Sequence, residues 1–76
     1  MADRPPTAKR ASEDLKAADI VWFRDGRWSV FNLQEAVVPP SYGKAMVTIR
    51  ELADDGEAVD EDVVITDWEH EWDVVV

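Results

Sequence analysis

Seventy-six residues, 46% of them apolar, allow one small domain, and a formal net charge of −9 argues against direct binding to nucleic acid or to an anionic membrane. The absence of cysteine excludes a disulfide framework and thiolate metal sites. Apolar runs of at most four residues fall far short of the roughly 20 that a membrane span requires.

The N-terminal MADRPPTAKRASEDLK lacks the apolar core of a signal peptide, so a soluble cytoplasmic protein is expected. Residues 1–10, with Pro5-Pro6 opposing helix, read as an N-terminal arm, and residues 11–76 as a single β-rich domain. Ser12 before Glu13-Asp14-Leu15 is an N-cap candidate followed by acidic residues in a first turn. It predicts one short helix from Ser12 to about Ala18, with Ala11, Leu15 and Ala18 on one stripe.

Ile20 to Leu33 predicts a β-hairpin turning at Asp25-Gly26, a pair suited to positive φ at both central positions of a type I′ turn. That turn sets Arg24 opposite Arg27, Phe23 opposite Trp28 and Val21 opposite Val30. Phe23, Trp28, Val21 and Val30 then share one face, and Ile20, Trp22, Phe31 and Leu33 the other. Val37 to Gly43 contains Pro39-Pro40 and is a connection rather than a central strand. Its Pro39-Pro40-Ser41-Tyr42 resembles the Pro-Pro-x-Tyr ligands of WW-type domains, but a rigid connection suffices to explain it. Lys44 to Leu52 alternates as a strand, and Ala53-Asp54-Asp55-Gly56-Glu57 is a turn. Val59 to Thr66 is a strand candidate in which Asp60-Glu61-Asp62 could be an interruption. In the final strand Trp68, His70, Trp72, Val74 and Val76 alternate with Glu69, Glu71, Asp73 and Val75. The expected fold is mostly β (α+β being the alternative): a small antiparallel sheet or partial barrel of four to five strands with the one short helix.

Catalysis has little to stand on, and no enzyme activity, cofactor or metal is expected. The lone His70 lies between tryptophans, the glycines are isolated in turns, and no Gly-x-Ser-x-Gly segment is present. Asp54-Asp55-Gly56-Glu57 and Asp60-Glu61-Asp62 offer hard oxygen ligands without the spacing of a twelve-residue calcium loop.

The acid itself is the informative feature. Glu51 to Asp73 holds eleven carboxylates and no lysine or arginine, interleaved with apolar residues and two tryptophans. Residues 1–27 are nearly balanced, with six basic and five acidic side chains, whereas residues 28–76 carry two basic and twelve acidic ones. A folded face of this sign attracts basic protein surfaces. Glu69, Glu71 and Asp73, two residues apart on a strand, would stand about 6.7 Å apart. That approximates every second phosphate of DNA, whose strands carry one per about 3.4 Å. The partner-binding residues expected are therefore Asp54, Asp55, Glu57, Asp60, Glu61, Asp62, Glu69, Glu71 and Asp73, with Trp22 and Trp72 as aromatic anchors.

In type, such a chain resembles the small phage-encoded inhibitors that block host nucleases, CRISPR complexes or polymerase. The resemblance implies a DNA-mimic inhibitor, of anti-CRISPR or anti-restriction kind, that occupies the basic surface of a nucleic-acid-handling enzyme or complex. The alternatives are a structural or assembly subunit, open to homo-oligomerisation through sheet edges, and an antitoxin or immunity protein.

Overall fold

The computed structural model describes residues 4–76. Among these residues six strands form: β1 (Thr7–Ala11), β2 (Ile20–Phe23), β3 (Gly26–Glu35), β4 (Ala45–Leu52), β5 (Ala58–Thr66) and β6 (Glu71–Val75). They make one antiparallel open sheet in the order β1-β6-β2-β3-β4-β5, with β1 and β5 as its edges. No helix among the described residues is long and apolar enough to cross a membrane.

The mostly β, antiparallel expectation holds, but there are more strands than the four to five expected, and the short helix is absent. Ser12–Asp14 form only a 3-10 turn, and Leu15 is already extended. Ser12 cannot cap a helix because its side chain is fully buried and engaged elsewhere. Its Oγ accepts a hydrogen bond from Trp72 Nε1 (2.7 Å) and shares another with Thr66 Oγ1 (2.8 Å). The chain then turns at Lys16–Asp19, where the Lys16 N–H donates to Asp19 Oδ2 (2.9 Å). The expected stripe therefore does not form: Leu15 enters the core while Ala18 lies exposed with φ +76°. The added strand β1 comes from the stretch expected as an arm, of which residues 1–3 lie outside the described residues.

The hairpin between β2 and β3 forms, but its turn sits one residue earlier than Asp25-Gly26. Arg24 and Asp25 take the positive φ values, 51° and 57°, and Gly26 pairs with Phe23. Val21 rather than Phe23 is opposite Trp28. The expected register would have opposed Arg24 to Arg27. The observed one lifts Arg24 into the turn, where its guanidinium lies 4.8 Å over the Phe23 ring and reaches Asp62 Oδ2 at 2.7 Å. Moving the turn by one residue slides the pairing by two, so each side chain keeps its face. Leu33 is the exception. A bulge between Val30 and Asn32 reverses the alternation, and Leu33 packs on the core instead of sharing a face with Phe31.

Strand β4 alternates as expected, with Ala45, Val47 and Ile49 buried. Asp60-Glu61-Asp62 does not interrupt β5. β6 starts later than the alternation of Trp68 and His70 implied, because Asp67 to His70 form a turn closed by His70 N–H to Asp67 O (3.1 Å). Trp68 anchors that turn by donating to Gly43 O at 2.7 Å. One face of the sheet thus assembles Val21, Trp28, Val30, Val47, Ile49, Trp72 and Val74 with Leu15, each contributing about 1.5–3 kcal/mol by leaving water. Ser12 bonded to Thr66, and Arg24 bonded to Asp62, tie opposite flanks of the sheet together across this concave face.

Candidate protein-binding surface

The nine expected carboxylates fall into three groups. Glu69, Glu71 and Asp73 do not make a row. Glu69 lies in the turn before β6, Glu71 is exposed opposite Ala11, and Asp73 is engaged by Lys9 Nζ (2.6 Å) and Arg4 Nη2 (2.8 Å). Hydrogen bonding to Lys9 first, then to Arg4, holds the Asp73 carboxyl below the usual carboxylate range against the desolvation that would raise it. The phosphate-like spacing over these three residues is therefore corrected: a strand long enough to carry it does not form, and one of its charges is neutralised by the N-terminal segment.

On β5, Glu61 pairs with Arg50 (3.1 Å) and Asp62 with Arg24 (2.7 Å). The Val63 N–H and then Arg24 hold the Asp62 carboxyl below its ordinary range. β5 does not pair with β6, so these charges stand on the far edge of the sheet from Asp73.

The third group is the concentrated one. Asp54, Asp55 and Glu57 in the β4–β5 turn, and Asp60 near the start of β5, are exposed and form no ion pair among the described residues. Gly56 gives the turn its shape at φ +87°, and Asp55 Oδ1 fixes it by accepting the Glu57 N–H (3.0 Å). Glu51, at the end of β4 and opposite Asp60, adds a half-buried carboxylate.

This turn approaches the β2–β3 turn. Between them lies a cleft of about 390 Å³ lined by Trp22, Asp25, Gly26, Arg27, Leu52, Ala53, Asp54 and Gly56. Trp22 and Leu52 give it an apolar body, and Asp25, Asp54 and Arg27 a charged rim. Trp22 is half-buried there, on the face opposite the core. Trp72, expected as a second anchor, is instead a core residue at 3% exposure and presents nothing to a partner. His70, expected on the apolar face of a strand, is exposed in the turn with its ring edge-on to Trp72 at 5.7 Å.

Asp25, Arg27 and Leu52 belong to the site without having been expected there. No local pattern marks them, since each looks like an ordinary turn or strand residue and joins the cleft only where the two hairpin ends meet. Comparisons with protein-family models, with curated proteins and with solved structures found no match for the chain.

Proposed function

We propose that the chain is a small protein-binding inhibitor that sets its β4–β5 turn and the Trp22 cleft against a basic surface of a nucleic-acid-handling protein, so excluding nucleic acid from that surface. The observation that supports this best is the grouping of Asp54, Asp55, Glu57 and Asp60, exposed and without cationic partners, beside a cleft with a half-buried tryptophan. Uncompensated charge at a projecting turn steers a basic partner to encounter, while an aromatic ring in a cleft supplies an anchor that excludes water. The mechanism is occupation of a basic groove by a concentrated anionic tip, rather than imitation of phosphate spacing along a strand.

The test is capture on the immobilised full chain, washed at low and then high salt, followed by competition with duplex DNA. Wild type should retain a basic nucleic-acid-handling protein, release it as salt rises, and lose it to DNA. Replacing Asp54, Asp55 and Glu57 by Asn, Asn and Gln should weaken the contact on the order of tenfold or more. Full retention by that triple variant, with an unchanged circular dichroism spectrum, would refute the reading. A second reading, assembly through sheet edges, draws on the two free edges β1 and β5.

A further inference from the structure

The two edges are complementary in charge, hydrogen-bonding parity and face. On β1, the Val76 N–H donates to Pro6 O (3.2 Å) and the Ser12 N–H to His70 O (2.8 Å), in the same register as the pairs Ala8–Val74 and Arg10–Trp72. Even-numbered residues of β1 therefore turn their backbone groups toward β6, and by alternation Thr7, Lys9 and Ala11 turn theirs to the open side. On β5, the Glu61 and Val63 N–H groups donate to the side chains of Asp60 and Asp62 (2.8 Å each) rather than to β4. Glu61, Val63 and Ile65 accordingly face the open side of that edge, whereas Val59 is the extra residue of a bulge where the register passes from Glu51–Asp60 to Leu52–Ala58.

We infer that the β1 edge of one copy of this chain docks antiparallel on the β5 edge of the next, with Lys9 opposite Glu61 and Arg10 opposite Asp60, so that copies extend one sheet head to tail. In this register Thr7 opposes Val63, which is 47% exposed, and Ala11 falls at the Val59 bulge where the regular ladder ends. At Thr7 and Lys9 outward-facing residues meet outward-facing residues. The sheet faces also continue. Lys9 is opposite Asp73 and, like Glu61, lies on the face away from the core, whereas Arg10 is opposite Trp72 and Asp60 opposite Glu51 on the core side. A shift of two residues sets Lys9 against Val63 in one direction and against the Val59 bulge in the other. An even number of antiparallel strands makes β1 and β5 run in opposite directions, so successive copies keep one orientation.

The carboxylates decide what may dock. An incoming strand must replace Asp60 and Asp62 as acceptors for the Glu61 and Val63 N–H groups, using the carbonyls of Lys9 and Thr7. A freed Asp60 then meets Arg10 of the arriving copy. Asp62 keeps Arg24, but a strand without cations leaves the freed Asp60 uncompensated, and two β5 edges would oppose like charges. The contact joins two different surfaces, so it propagates rather than closing as a twofold dimer.

Sedimentation equilibrium of the full chain, over a concentration series reaching millimolar, tests this. Mass should rise progressively without stopping at a dimer. Arg10→Glu or Asp60→Lys alone should lower the association constant roughly threefold to tenfold. The double variant R10E/D60K should restore it. Val63→Pro removes one outward N–H without breaking the ladder to β4, so it should suppress association while the circular dichroism spectrum is kept. A strictly monomeric wild type, a closed dimer, a double variant no better than the singles, or a V63P variant associating like wild type would each overturn the inference.

Discussion

Ser12→Ala should be among the most damaging single-atom deletions in the chain. The hydroxyl is fully buried and accepts from Trp72 Nε1 at 2.7 Å. It is also 2.8 Å from Thr66 Oγ1 and 3.3 Å from His70 O. Removing it strands the indole N–H of a tryptophan that is 3% exposed, which costs about 1–3 kcal/mol. Losing the bond to Thr66 adds about 1 kcal/mol. The sum, about 2–4 kcal/mol, is a large part of the roughly 5 kcal/mol that a domain of this size commands. The melting temperature should fall by about 10–25 °C. Thr66→Val is the discriminating control. It removes one partner but leaves the Ser12 hydroxyl free to donate to His70 O and to accept from Trp72, so it should cost about 1 kcal/mol or less. Urea unfolding followed by tryptophan fluorescence, with thermal unfolding by circular dichroism, measures both. A Ser12→Ala loss under about 0.5 kcal/mol, or a Thr66→Val loss equal to that of Ser12→Ala, would refute the role given to this hydroxyl.

Two further predictions concern acid stability and backbone strain. Asp73 and Asp62 are held below their ordinary value of 3.8 in the folded chain, so the stability they contribute is fully present above that value. It is lost as pH falls through their folded values. The wild-type urea midpoint should therefore drop on acidification below about pH 4. Asp73→Asn should be less stable than wild type at neutral pH and show a shallower acid decline, and an identical decline in the two proteins would refute the assignment. Ala18 and Gly56 both hold positive φ, 76° and 87°, so substitutions there should act with opposite sign. Ala18→Gly should stabilise and Gly56→Ala destabilise, each by about 1 kcal/mol in urea unfolding, because only glycine takes this conformation without a side-chain penalty. Nothing lies within 4 Å of a Cβ built on Gly56, so crowding would not obscure its result. Effects of the same sign would show that the strain is not where the dihedral angles place it.

Much of the sheet was legible in the sequence. The period-two pattern of Ala45 to Leu52 gave both faces of β4, because each strand position has only two directions in which to point. The hairpin faces survived a misplaced turn for the same reason: a slide by two preserves parity. Leu33 was misread because the bulge at Val30/Asn32 adds a residue that no local pattern marks. Helix propensity after Ser12 was overridden because the side chain that would have capped the helix is engaged by Trp72 and Thr66, residues far away in sequence. The acidic site divides likewise. That the region from Glu51 onward is anionic is a property of the chain, but which carboxylates stay uncompensated depends on where distant cations arrive. Lys9 and Arg4 reach Asp73, and Arg24 reaches Asp62.

The mostly β character and the strongly acidic second half were already present in the linear chain, because they follow from composition and from periodicity within single strands. Strand order, the conversion of an N-terminal segment into the edge β1, and the Trp22 cleft between two turns arise only when the chain folds. Which acids are neutralised arises in the same way, since each of these features depends on contacts between segments that no local pattern encodes.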